Sequence, residues 1–177
     1  RIAELADANA NAPVDATFLI AANNFSRNDL RNKAAWTGDD FGVGGDNTNM
    51  NAEKWGGNSQ LFDIHQTISV PDGVYKLTWN GFYRYNNTSD NTNDVAIAAH
   101  AEGTEVINSF VYANDKDFAL TSIAEEAAVE ALQALDKGIP FSQGDASFAF
   151  TNGIYEQTAE IVVEAGQLTI GIKKIAH

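Results

Sequence analysis

The chain contains no cysteine, so disulfide staples and thiolate metal sites are excluded, although the compartment is not thereby decided. It is also poor in positive charge. Eleven Lys and Arg stand against 24 Asp and Glu, a formal net charge of -13. Nucleic-acid phosphates demand a basic face, so this balance argues against a DNA or RNA partner and equally against anionic membranes. Neutral ligands, cations and basic partners stay open. No apolar run approaches the roughly 20 residues that a spanning helix needs, so no membrane insertion is expected. The first residues show no leader pattern, as expected of a processed protein or of a domain cut from a longer one. Histidine is scarce: His65, His100 and His177 are scattered without metal-ligand spacing. No nucleophile elbow, phosphate loop or dinucleotide fingerprint occurs.

What is present is alternation. At 177 residues the chain is long enough for one domain with a real core. Gln60–Ser69 and Val74–Tyr85 alternate about the turn Val70-Pro71-Asp72-Gly73, chemistry that makes a hairpin or a β-corner. Phe62, Ile64, Gln66 and Ile68 share one face, and Asp63, His65, Thr67 and Ser69 the other. Tyr75, Leu77, Trp79, Gly81 and Tyr83 form the apolar face of the second run, with Trp79 expected in the core. Two unlike faces suit an antiparallel sheet buried on one side. Thr17–Ile20, Val95–Ala99, Val106–Tyr112, Glu156–Val163 and Gln167–Lys174 read as further strands. Ile2, Leu5 and Ala6 lie at helical spacing ahead of Pro13, so residues 1–13 are expected to be a linker or the end of an upstream helix. Asn23–Lys33 and Asp39–Asn51 read as polar loops. In Ala124–Lys137 the apolar residues Ala127, Ala128, Ala131, Leu132 and Leu135 predict an amphipathic helix ended at Gly138, with Glu125, Glu126 and Glu130 outward. Gly144–Asn152 predicts a shorter helix with Phe148 inward. The expected fold is mostly β, an antiparallel β-sandwich over residues 14–177 with one or two short helical insertions.

Asparagine is over-used, at Asn23-Asn24, Asn47 to Asn51, Asn86-Asn87 and Asn91 to Asn93. Such clusters build long structured loops, because Asn bonds its own backbone and tolerates left-handed φ; their amides also bond sugar hydroxyls. Trp36 and Trp55 stand beside Gly-rich or polar loops and offer stacking faces, or else plug the sandwich end. Arg84, set among Phe82, Tyr83 and Tyr85, offers a planar fork to two hydroxyls or a carboxylate, or else pairs with Asp63 or Glu53. Tyr85, Asn86 and Asn87 are expected to face solvent. Glu53 and Asp63 invite a two-carboxylate glycosidase reading, but sequence supplies no separation between them, and hydrolase activity is not expected. Asp46-Asn47-Thr48-Asn49 and Asp90-Asn91-Thr92-Asn93-Asp94 carry hard oxygens of the kind calcium takes, without EF-hand spacing.

Asn24-Phe25, Trp36-Thr37-Gly38, Ala52-Glu53-Lys54-Trp55 and Phe62 to Ile68 follow one another in a familiar order. Pro71 to Leu77, Gly81-Phe82-Tyr83-Arg84, Phe150 to Tyr155 and Leu168 to Lys173 continue it. Over Asp15 to Lys174 the chain resembles the galactose-binding-like jelly-roll modules appended to secreted enzymes and surface proteins of gut Bacteroidetes-type bacteria. The resemblance implies a jelly roll whose sugar site lies on the loops at one end or on the concave sheet. It implies secretion or cell-surface display, neighbouring domains in a larger parent, and in many relatives a structural calcium ion. Such modules usually finish with a further Trp-containing strand, where this sequence ends Ile175-Ala176-His177; an unfilled strand position is therefore expected. The expected function is a non-catalytic carbohydrate-binding module using Trp36, Trp55, Arg84, Tyr85, Asn86 and Asn87. The rival expectation is a structural or protein-interaction domain that assembles through the unfilled position.

Overall fold

A computed structural model describes residues 2–25, 31–43, 50–54, 60–85 and 92–175. Helix α1 (Ile2–Ala6) buries Leu5 and leads to a single 3-10 turn at Thr17–Leu19. Helix α2 (Arg31–Ala35) and the short strands β1 (Thr37–Gly38), β2 (Gly42–Val43) and β3 (Ala52–Glu53) precede the long strands β4 (Phe62–Ser69) and β5 (Gly73–Asn80). After β6 (Phe82–Tyr83) come helix α3 (Asp94–Glu102), strands β7 (Ser109–Ala113), β8 (Lys116–Ala119) and β9 (Thr121–Ser122), and helices α4 (Glu126–Gln133) and α5 (Gln143–Thr151). Strands β10 (Glu156–Val163) and β11 (Gln167–Lys174) follow.

The protein is mostly β with antiparallel sheets and few helices, as in a β-sandwich. Five strands form one sheet in the order β1-β4-β11-β7-β8, and β5 pairs with β10 in a second. The two sheets share a core. Val70, Ala113, Leu168 and Ile170 from the first meet Ile161 and Val163 from the second, with Ile68, Tyr75, Leu77 and Phe118 packed around them. Burial of that apolar area, at roughly 25 cal/mol per Å², is what holds the layers together.

The Val70–Gly73 turn is a corner and not a hairpin: β4 and β5 belong to different sheets. So do β10 and β11. The two corners clasp each other, because the Gly166 N–H donates to Asp72 Oδ1 at 2.7 Å and the Val70 N–H donates to the Gly166 carbonyl at 3.0 Å. The Tyr75 hydroxyl closes the same corner on the Pro71 carbonyl at 2.7 Å. The inward face of β4 is as expected: Phe62, Ile64 and Gln66 are buried and Ile68 is half-buried. Buried Gln66 exchanges two 3.1 Å hydrogen bonds with the backbone of Ala21, which stitches the N-terminal segment to the sheet.

Five expectations fail in whole or in part. Thr17–Ile20 is a 3-10 turn and no strand: Asp15 Oδ1 accepts from the Thr17 N–H, and this local bond competes with extended structure. Val95–Ala99 lies inside α3. Its alternating Val95 and Ile97 imitate a strand, but the buried residues are Ala96 and Ala99, one helical turn apart, and left-handed Gly103 caps the end. The polar loop Asn23–Lys33 runs into α2 at its C-terminal end. Strand β7 begins at Ser109 and not at Val106, leaving Val106 and Ile107 exposed. Helix α4 stops at Gln133, ahead of Gly138, and only Ala128 and Leu132 of its predicted apolar set are buried. Helix α5 falls where it is expected, with Phe148 half-buried. No described helix is long and apolar enough to cross a membrane.

Candidate functional site

Strand β5 leads away from the clasped corners, and β6 delivers Arg84 and Tyr85 to the far end of the sandwich. Both residues are half-buried. Arg84 Nη2 donates to the Thr92 carbonyl, and the guanidinium carbon lies 5.6 Å from the centroid of the Phe141 ring. Asn93, next to Thr92, donates from Nδ2 to the carbonyls of Pro140 at 3.0 Å and Ile139 at 3.4 Å. Arg84, Thr92–Asn93 and residues 139–141 thus form one rim through mutual contacts, with Tyr85 next to Arg84 in the chain.

Phe141 is the most exposed aromatic ring described, at 53 %. It is not loose. Its N–H donates to Asp145 Oδ2 at 3.1 Å, and the same oxygen accepts from the Ser142 N–H at 2.9 Å and the Ser142 hydroxyl at 2.8 Å. Ser142 Oγ in turn accepts from the Asp145 N–H, completing a capping box at the start of α5. Burial alone would raise the Asp145 carboxyl, but the Ser142 and Phe141 donors and the Lys137 ammonium outweigh it and hold the group below the ordinary carboxylate range. A depressed folded-state pKa stabilises the fold above the unfolded value of about 3.9, and that contribution disappears as pH falls through the lower folded value. Ser142→Ala is expected to cost about 1 kcal/mol in urea melts. The same substitution should raise the Asp145 carboxyl midpoint in an NMR titration; an unmoved midpoint would mean the cap is not formed.

The opposite flank of α5 holds the Glu53 segment. Asn51, buried, donates to the Gln143 carbonyl at 2.8 Å and to Ser147 Oγ at 3.2 Å, and the Gln143 amide donates to Glu53. Lys54 extends from there over the Phe62 ring, 5.6 Å from its centroid. The N-terminus of α5 therefore has the Arg84 rim on one side and the Glu53–Lys54 end on the other.

The remaining candidate residues are distributed as follows. Trp36 is half-buried, stacked on Phe25 at 5.1 Å and 26°, with its N–H on the Ala22 carbonyl at 3.3 Å. It packs between the two apolar clusters of the sandwich, and none of these contacts is with Arg84 or Phe141. Trp55, Asn86 and Asn87 lie outside the described residues, as do Asp46–Asn49 and Asp90–Asn91. Trp79 packs on Phe118 at 5.6 Å and donates to Gln157. The expected carboxylate partners of Arg84 are engaged elsewhere: Asp63 accepts from the Tyr112 hydroxyl at 2.7 Å, and Glu53 from Gln143. Among the described residues no group of three His, Asp or Glu is gathered to hold a metal.

One polar cluster was not anticipated. Glu105, carried by the loop after α3, accepts from the Ser122 hydroxyl at 2.7 Å and lies 2.7 Å from His100 Nδ1. Burial first, and then this carboxylate, push the Tyr83 phenol above its usual range. Ser122 donates to the carboxylate and not to the imidazole, so the Ser–His contact of a serine triad is not formed here. The cluster ties the loop to β9, directly beneath the Arg84 rim.

Phe141 and Asp145 were the residues missed, while Thr92 and Asn93, read as candidate calcium oxygens, bond Arg84 and the 139–140 carbonyls in this structure. The available signal was the Ser142-x-x-Asp145 spacing, which marks a helix start and so fixes the residue before it. Comparison of the chain with protein-family models, with curated proteins and with solved structures finds no match in any of the three.

Proposed function

We propose that this chain is a non-catalytic carbohydrate-binding module of jelly-roll type, which tethers a larger secreted or cell-surface protein to glycans. The observation that carries this reading is the exposed Phe141 ring with the Arg84 guanidinium beside it, the guanidinium bonded to the Thr92 carbonyl and the Phe141 backbone anchored on Asp145. A sugar presents a CH-rich face to an aromatic ring and hydroxyls to the guanidinium fork. Because the platform is pre-ordered, little conformational entropy is lost on binding. Tyr85 continues the rim, with Asn86 and Asn87 next in the chain, and Trp55 follows Lys54 on the other flank. Trp36 contributes as a half-buried support of the sheet end. Calcium is expected only through Asp- and Asn-rich runs that fall largely outside the described residues, and the binding scheme does not run through it.

A glycan array probed with the wild type and with Arg84→Ala tests the proposal. Binding to at least one saccharide class is expected, reduced about tenfold in the variant, which corresponds to one charge-assisted hydrogen-bonding group. A blank array for the folded wild type, or equal binding by the two proteins, refutes it.

A second reading, a structural or interaction domain, has its own observation. Neither outer edge of the β5–β10 pair carries a further strand among the described residues, and Val74 and Val162 face each other across it at 68 % and 51 % exposure. Such an edge is a template for strand addition. Sedimentation that shows concentration-dependent oligomers, abolished by Val74→Lys, favours this reading.

A further inference from the structure

The geometry points to a second ligand cleft between α4 and α5, suited to a neutral saccharide of one or two rings. This rests on the reading of the chain as a saccharide binder, but places an additional subsite next to the exposed Phe141 ring, on the other side of Asp145. The cleft encloses about 350 Å³, within the range of roughly 300–1,000 Å³ that small-molecule sites occupy. Ile139 and Phe148 supply apolar walls over buried Leu132, and Lys137 and Asp145 are its charged groups.

The chemistry of these walls selects the ligand class. Lys137 Nζ lies 5.1 Å from the centroid of the Phe148 ring, so a hydrogen-bond donor and an aromatic face share one wall. Asp145 spends Oδ2 on three internal donors, while its other oxygen has no protein partner among the described residues. One fixed acceptor, one donor and two apolar surfaces match a ring with hydroxyls at its edge and CH groups on its face. The two charges cancel, and the chain's net charge of -13 repels anions, so a neutral ring fits better than an acidic one.

The cleft also contains its own test position. A Cβ built on Gly138 meets no atom within 4 Å, and this glycine is not among those with positive φ, so a large side chain there fills open space without disturbing the fold. The experiment is an NMR titration of the whole chain with glucose, galactose, mannose, N-acetylglucosamine and lactose, with glycine betaine as a zwitterionic control. The expected result is a saturable movement of the Gly138 and Gly144 amides with at least one sugar. Gly138→Trp is expected to weaken that response about tenfold or more while leaving the melting temperature in place. Lys137→Ala, at an exposed position, is the second variant and should weaken the same response.

Movement of the Arg84 and Tyr85 amides without the Gly138 group overturns the second cleft and leaves the rim reading intact. Movement at Gly138 alone supports the cleft and removes the rim. Silence at both overturns both. A response to glycine betaine in place of the sugars, or full sugar binding by both variants, also overturns the cleft.

Discussion

Tyr155→Ala is expected to lower the unfolding free energy by about 3–5 kcal/mol, the cost of emptying a large aromatic site in a close-packed interior. Tyr155 is 1 % exposed and packs with Ala128, Leu132 and Ala149, so its ring joins α4 and α5. It also lies 4.8 Å from the Phe82 ring and 6.5 Å from Phe150. Phe82 lies two residues before Arg84, so the same cavity would loosen the rim, and glycan binding should fall with stability. Tyr155→Phe separates the ring from its hydroxyl. The hydroxyl donates to the Ile123 carbonyl at 2.8 Å, and leaving that buried acceptor bare should cost about 1–3 kcal/mol. Urea denaturation of the two variants reads both quantities; a loss below about 1.5 kcal/mol for the alanine variant would contradict the packing described.

Gly38→Ala should be nearly as damaging, for a backbone reason. Gly38 has φ of +123°, and an added Cβ would lie 2.1 Å from the Asp63 carbonyl oxygen. That oxygen belongs to β4, which is paired on both sides in the five-stranded sheet and cannot retreat. Strain and overlap together are worth about 3 kcal/mol, and the cheaper escape is for β1 to lift from β4. The Asp39 N–H, now 2.9 Å from the Asp63 carbonyl, would then lose its partner, and neighbouring Trp36 would loosen from Phe25. Faster amide exchange at Asp39 and a shift in tryptophan emission are the expected signatures. An unchanged melt with unchanged emission would show that β1 is not seated as described.

The two predictions mark what the amino-acid order makes readable. Period-two patterning in Phe62–Ser69, Gly73–Asn80, Glu156–Val163 and Gln167–Lys174 announces strands, because one face must be dry and the other wet. It does not announce partners. Pairing of β5 with β10, and of β4 with β11, joins segments far apart in the chain, while the tight Pro71-Asp72-Gly73 turn promotes a hairpin as readily as a corner. Short apolar runs are ambiguous for a different reason. Val95 to Ala99 alternates, yet small Ala96 and Ala99 allow close helix packing that alternation cannot reveal. At the site, Arg84 stands out as a cation among rings. Its companion Phe141 does not, since their contact depends on where α4 and α5 are placed over the sandwich end.

Calorimetric titration of the glycan selected on an array, into the wild type and into Phe141→Ala, tests the rim most directly. Saturable binding by the wild type, weakened about tenfold or more by loss of the ring, with the saccharide recovered uncleaved, is the predicted outcome. Equal affinity in both proteins, or release of shortened sugars during the titration, would contradict a pre-ordered aromatic platform that holds glycans without altering them.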